Sequence, residues 1–169
     1  MAINDTAITD QTSRRRLTQP FCIGLLIVLC LVLYLPGTWQ MPLADPEESR
    51  CALIVQHMIQ SGEWLMPHLD GDLYFDKPAP YFWLAAVGQL ATGNIEFSGR
   101  LVSALFAIAA VLMAFSAGRR MGGNLAGLVA GIVLATSVEF VFMARWYRMD
   151  MPLATLVWAA LWWFWRYET

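Results

Sequence analysis

The sequence predicts an all-α integral membrane protein with about four transmembrane helices, and three observations support this. Of the 169 residues, 58% are hydrophobic and only 14% are charged, and the mean hydropathy is +0.51, which is unusual for a soluble domain of this size. Four apolar stretches reach or approach the ~20 residues needed to cross a bilayer core. The charges are segregated by segment, which indicates topology. We therefore expect contact with membrane lipid and no nucleic-acid partner.

The first element is a membrane anchor. Residues 1–19 form a polar tail with three arginines at 14–16, and an apolar run follows at about 21–39. Because Lys and Arg are enriched on the cytoplasmic side of membrane spans, the tail is predicted to be cytoplasmic. A cleaved signal peptide is the alternative, but the run is long and no clear small-x-small cleavage site follows it.

Three further apolar stretches, at about 97–118, 124–144 and 151–165, are predicted to span the membrane, the last only just. The long loop at 40–96 contains an apolar segment, 81–92, of only a dozen residues. That length suits an interfacial or re-entrant helix better than a crossing. If this segment does not cross, the later arginines join the N-terminal ones in the cytoplasm and the loop lies on the outer face. If it does cross, an arginine pair faces outward.

The outer loop opens with the acidic run DPEESR. Asp45, Pro46 and Glu48 occupy the N-cap, first and third positions of a typical helix start, so helix capping alone is one explanation of these acids. Function is the other, because charges near hydrocarbon tend to persist only when they are paired, wet or functional. The helix is expected to end at residues 61–62 and to lie along the membrane surface. Its apolar face comprises Cys51, Ile54, Val55, Met58 and Ile59.

Two more polar features lie on the same predicted side of the membrane. Lys77, in YFDKPAP, is followed by two prolines that restrict the backbone. It is either an interfacial lysine whose stem lies along apolar surface or a phosphate ligand. Asp150, two residues before Pro152, is either the N-cap of the last span or a functional acid. Helix capping does not explain why the acids of DPEESR, Lys77 and Asp150 are all predicted on the same face of the membrane.

Asp70, Gly71 and Asp72 form a D-x-D string, which holds a divalent metal in some soluble sugar-nucleotide enzymes. Asp followed by Gly is common in tight turns, so we expect a turn here. His57 and His68 lack zinc-like spacing to each other or to a cysteine, and both are expected to be polar surface residues.

From ADPEESR through GEWLMPHLDGDLYFDKPAPYFWL to ARWYRMDMPLA, the chain resembles the N-terminal part of a superfamily of polyprenyl-phosphate-sugar glycosyltransferases. That superfamily includes bacterial aminoarabinose lipid A transferase and the dolichyl-phosphate-mannose protein mannosyltransferases. The resemblance covers about residues 35–165. Its motifs occur in order: an acidic pair before x-Arg, G-x-W followed by Pro-His, Y-F-x-K-P, and D-x-P at a later span.

The resemblance implies a GT-C type membrane fold, with residues 20–169 as the N-terminal part of the domain. It also implies transfer of a sugar from a polyprenyl-phosphate-linked donor to a lipid A, protein or glycan acceptor at the periplasmic face of the bacterial inner membrane. The first acid of the family's pair is usually aspartate, whereas here it is Glu47 with Asp45 two residues earlier, so these two are joint candidates. A divalent metal is the one cofactor considered. By motif, the candidates are Asp45, Glu47, Glu48 and Asp150 for catalysis, Lys77 and Arg50 for the donor phosphate, and Asp76 for a metal.

Members of that superfamily have many more spans than this chain, and two other classes stay open. A small noncatalytic membrane partner or assembly protein would dock through the tryptophans at 158–165, which an interfacial aromatic belt also explains. A transporter fragment would place polar residues along facing helices and break its spans in the middle of the bilayer. The charge here is concentrated in the outer loop instead.

Overall fold

The computed structural model describes residues 18–43 and 46–168, so the N-terminal arginines and Asp45 lie outside the described residues. The prediction of a mainly helical protein is confirmed, with the addition of one small antiparallel β-hairpin. The elements are α1 (Gln19–Tyr34), α2 (Pro46–Ser61), β1 (His68–Leu69), β2 (Asp72–Leu73), α3 (Ala79–Thr92), α4 (Ile95–Thr136), α5 (Val138–Ala144) and α6 (Asp150–Glu168).

The long element α4 is a helical hairpin. Its helical dihedrals are interrupted at Gly122 and Gly123, and the φ of Gly123 is 78°, a region that glycine adopts without steric cost. The two arms then run side by side. A Cβ added to Gly118 would lie 3.0 Å from the Cβ of Ala130, so small residues permit the close approach of the arms.

The predicted spans correspond to helices with shifted boundaries. The stretch predicted at 97–118 lies in the first arm of α4, but the one predicted at 124–144 is interrupted. Its helix ends at Thr136, Ser137 has non-helical dihedrals (φ −59°, ψ 126°), and α5 begins at Val138. Among the described residues, α4 alone is long and apolar enough to cross a membrane, and α1 is apolar but shorter. The count of four spans stays a prediction.

The elements of the 40–96 loop form where the sequence predicts them. Helix α2 ends at Ser61 and is followed by Gly62 in a left-handed conformation, and its buried face is the predicted apolar one. The short apolar segment is helix α3, which ends at a left-handed Gly93. Asp70 (φ 54°) and Gly71 (φ 92°) form the tight turn between β1 and β2, as predicted.

Two apolar clusters hold these elements around α4, which contacts α1, α2, α3, α5 and α6. The first cluster packs α1 against both arms of α4, against α5 and against the start of α6. The second lies between α2, α3 and α4, with Tyr147 from the loop before α6 at its edge. This second cluster fixes the start of α2, where the acidic residues lie. Its buried members are Cys51, Ala52, Ile54, Val55, Met58, Tyr81, Phe82, Ala85, Ala86, Val102 and Tyr147.

Candidate functional site

The two adjacent glutamates at the start of α2 lie in different surroundings. Successive residues of an α-helix are separated by about 100° around its axis. Glu47 extends toward the surface, with its side chain 31% exposed. Glu48 is buried, with 1% of its surface exposed. The structure therefore separates two acids that the sequence motif presents as a pair.

Glu47 is the centre of a polar cluster. One of its carboxylate oxygens accepts a hydrogen bond from Nη1 of Arg50, at 2.9 Å, and the other accepts one from Nζ of Lys77. Lys77 Nζ also lies 4.0 Å from Sγ of Cys51. We call Glu47, Arg50, Cys51 and Lys77 the Glu47 cluster. It joins the first turn of α2 to the segment just before α3, so these two polar motifs meet in space.

The charges of the Glu47 cluster are mutually stabilised. The hydrogen bond from Lys77 holds the pKa of Glu47 below its usual value. Burial lowers the pKa of Lys77, but the hydrogen bond to Glu47 and the proximity of Cys51 outweigh it, so this pKa is raised. Burial raises the pKa of the Cys51 thiol. At neutral pH the cluster is therefore a carboxylate with a permanent cation at Lys77 and a neutral thiol beside it.

The second cation, Arg50, is held on the same side of α2 because residues three apart share a helix face. A hydrogen bond with Tyr74, together with the charge of Glu47, raises the pKa of Arg50. Asp76 is exposed beside Lys77. Within the described ranges, no three or more His, Cys, Asp or Glu side chains are placed to hold a metal ion. The role of Asp76 as a metal ligand stays a prediction.

Glu48 forms a buried ion pair with Arg100 of α4. Arg100 Nη2 donates to one carboxylate oxygen at 2.7 Å, and Arg100 Nε donates to the other at 3.2 Å. The backbone N–H of Tyr147 donates to the second oxygen at 2.8 Å. Arg100 also donates to the backbone carbonyls of Thr38 (2.8 Å), Met41 (2.6 Å) and Pro42 (3.1 Å). All five guanidinium N–H groups thus have acceptors.

This geometry corrects the expectation that Glu48 is a catalytic residue. A carboxylate with both oxygens engaged and its side chain 2% exposed is not placed to contact a substrate. With Arg100, it instead joins four segments: the loop after α1, the start of α2, α4 and the loop before α6. Sequence reasoning missed Arg100, although a charged residue within an otherwise apolar stretch is a recognised signal of a functional or paired group.

Asp150 is the first residue of α6 and is exposed. The N-cap of α6 is Met149 and not the predicted Asp150, since the carbonyl of Met149 accepts the hydrogen bond from the N–H of Leu153. Asp150 contributes, with Glu139, to an open and mostly apolar cavity of about 410 Å³ between α5 and α6. Burial, and then the negative charge that neighbouring groups such as Tyr147 carry when ionised, raises the pKa of Tyr81 well above its usual value.

The chain is similar to a known family and to several known proteins. Residues 76–169 match the family described as dolichyl-phosphate-mannose-protein mannosyltransferase. The undecaprenyl phosphate-alpha-4-amino-4-deoxy-L-arabinose arabinosyl transferase of Edwardsiella ictaluri is 34% identical over 152 residues, which cover 88% of this chain and 26% of that protein. A second such transferase, numbered 2, from Pseudomonas fluorescens is 40% identical over 103 residues, covering 61% of this chain and 18% of the relative.

Two solved structures share the fold. ArnT from Cupriavidus metallidurans bound to undecaprenyl phosphate is 27% identical, with a TM-score of 0.74 over 83% of this chain and 26% of that protein. The same protein in the apo state gives a TM-score of 0.72 at 28% identity, over 79% of this chain and 25% of that protein. The chain thus spans about a quarter of the length of these structures.

Proposed function

The chain belongs to the dolichyl-phosphate-mannose-protein mannosyltransferase family, and we propose that it acts as the N-terminal part of a GT-C membrane glycosyltransferase. In this proposal the whole enzyme transfers a sugar from a polyprenyl-phosphate donor to an acceptor. The relatives named for undecaprenyl phosphate-linked aminoarabinose support that donor class, and lipid A is the acceptor we favour over protein or glycan. The Glu47 cluster would face the periplasm, with the N-terminus in the cytoplasm.

The position of Lys77 is the observation that carries the proposal. Its side chain is only 18% exposed and already binds an anionic oxygen, that of Glu47. A fixed cation in such a site suits a phosphate, because charge-assisted hydrogen bonds to ionised oxygens are about twice as strong as neutral ones. Arg50 lies on the same carboxylate and provides a second set of donors. We assign both residues to the donor phosphate.

Lys77 would act on the leaving group. During transfer, the bond between the anomeric carbon of the sugar and the phosphate oxygen breaks, and polyprenyl phosphate leaves with the electron pair. A cation already positioned at that oxygen stabilises the negative charge as it develops, without reorganisation at the moment of reaction. The acceptor oxygen forms the new bond to the anomeric carbon and gives its proton, where it carries one, to a carboxylate.

Glu47 and Asp45 are joint candidates for that carboxylate, with Asp150 as the third. Of the three, Glu47 accepts a hydrogen bond from Lys77. Asp45 lies outside the described residues, and Asp150 begins α6. Proton transfer by a positioned side chain typically contributes about 10² to 10⁴ in rate. The Glu48–Arg100 pair would hold this arrangement in place without touching the substrate.

The test is replacement of Lys77 in the protein as its source produces it. Lys77→Ala should reduce sugar transfer to lipid A, measured by mass spectrometry, and should weaken binding of undecaprenyl phosphate. Glu63→Ala is the matched control, because Glu63 is an exposed loop carboxylate away from the Glu47 cluster. Unchanged transfer and unchanged binding in Lys77→Ala would refute the phosphate role and favour a noncatalytic membrane partner.

A further inference from the structure

We propose that Glu47 occupies the phosphate position of the donor site, so that a donor phosphate must displace the Glu47 carboxylate from Lys77 and Arg50 in order to bind. The inference rests on the proposed function, because it takes Lys77 to be a phosphate ligand. It adds that Glu47 competes with the donor before it takes any part in the reaction.

The geometry supports competition because two cations converge on one carboxylate. The two oxygens of Glu47 are divided between them, one held by Arg50 at 2.9 Å and the other by Lys77. Two oxygens of a phosphate group offer the same pair of acceptors on a common centre, which is why the cations that bind carboxylates also bind phosphates. A phosphate that binds the same two N–H groups therefore has to replace the Glu47 oxygens on them.

The burial of Lys77 explains why it keeps an anionic partner in either arrangement. Its side chain is 18% exposed, and among the described residues its other hydrogen-bond contact is the Sγ of Cys51, at 4.0 Å. Leaving a largely buried ammonium without an anion is unfavourable, since the charge loses solvation without compensation. Exchange of Glu47 for phosphate keeps Lys77 paired throughout, whereas simple departure of Glu47 does not.

The exchange would couple donor binding to the freeing of Glu47. While Lys77 donates to Glu47, that contact lowers the pKa of the carboxylate and makes it a poor proton acceptor. Once Lys77 binds phosphate instead, the carboxylate loses the contact and gains a negatively charged neighbour, and both changes favour its protonated form. Glu47 would thus become a better base only when a donor is present.

Binding of undecaprenyl phosphate to the whole protein, followed by tryptophan fluorescence, tests the inference. Glu47→Gln keeps the size of the side chain and removes its charge, so it should tighten binding by about 5- to 10-fold, the lower end of the range typical of coupling between sites. Lys77→Ala should weaken binding. Glu63→Gln removes the same charge from an exposed position and should leave the Kd unchanged.

A double variant separates direct exchange from general repulsion of the phosphate. With Lys77→Ala already present, Glu47→Gln should tighten binding by clearly less than it does alone, because most of the competition concerned Lys77. If Glu47→Gln tightens binding equally in the unaltered protein and in Lys77→Ala, Glu47 acts only through its charge at a distance, and the exchange is overturned. Unchanged or weaker binding in Glu47→Gln, with weaker binding in Lys77→Ala, would overturn the inference alone. Unchanged binding in Lys77→Ala would overturn the proposed function itself.

Discussion

Removing the carboxylate of Glu48 should cost more stability than removing any single charge of the Glu47 cluster. Glu48→Ala takes two acceptors away from the guanidinium of Arg100, which is 4% exposed, and one from the N–H of Tyr147. Breaking a buried ion pair by removing one partner typically costs about 3–5 kcal/mol, because the remaining charge is left buried and uncompensated. The three carbonyl acceptors that Arg100 retains place the expected loss toward the lower end of that range.

The cysteines of this chain provide the assay. Cys22, Cys30 and Cys51 are all buried and free, so a dye that fluoresces on reaction with thiols reports unfolding as they become accessible. At about 2–4 °C per kcal/mol for a chain of this size, a loss of about 3–5 kcal/mol lowers Tm by roughly 6–20 °C. Arg100→Ala should be similarly damaging, since it leaves Glu48 buried without its cation.

Two comparisons make the expectation refutable. Glu63→Ala removes a carboxylate from an exposed contact with His68, and exposed pairs contribute about 0–1 kcal/mol, so its Tm should stay near that of the unaltered protein. The variant with both Glu48→Ala and Arg100→Ala should lose less than the sum of the two single losses, because the residues interact directly. A Tm for Glu48→Ala that matches the Glu63→Ala control would refute the reasoning.

Two further predictions follow from packing and charge. Gly99→Ala should lower stability by about 1–3 kcal/mol through overpacking, because the added Cβ would lie 1.9 Å from the ring of Tyr147. The control is Gly24→Ala in α1, whose added Cβ meets nothing within 4 Å and which should be neutral or stabilising. Equal Tm values for the two variants would contradict this expectation. Because Lys77 lowers the pKa of Glu47 from 4.5, the stabilisation from their pair is present above pH 4.5 and is lost as the pH falls through the lower folded-state value. The Tm difference between the unaltered protein and Lys77→Ala should therefore shrink when thermal scans are run below pH 4.5, and a constant difference down to pH 3 would show the pair to be irrelevant.

The local elements were predictable because their signals lie in neighbouring residues. Helix α2 carries its apolar face at helical spacing and ends at Ser61, and the Asp70–Gly71 dipeptide is a turn with both residues at positive φ. The break at Ser137 was not predicted, since long apolar segments lie on both sides of the short polar stretch at 136–139. A helix can stop for reasons of packing that composition does not record.

The meeting of distant residues was predictable only in part. The family resemblance pointed to Glu47 and Lys77 as parts of one site, and the structure joins them across 30 residues. The Glu48–Arg100 pair spans 52 residues and escaped prediction because Arg100, in the second turn of α4, has no neighbouring pattern that points to its partner. The two acids of the motif differ in burial, Glu47 being partly exposed and Glu48 buried. Burial depends on the folded chain and cannot be read from the motif.

The spacing of the acidic motif follows from the helix that contains it. Arg50 lies three residues after Glu47 and so shares its face, where the two form an ion pair. Glu48 lies one position round the helix, on the side that continues into the buried residues Cys51, Ala52 and Val55. In this chain, the acidic pair followed by x-Arg thus gives one partly exposed ion pair and one buried carboxylate. The buried pair with Arg100 fixes the rotation of α2, and that rotation directs Glu47 toward Lys77.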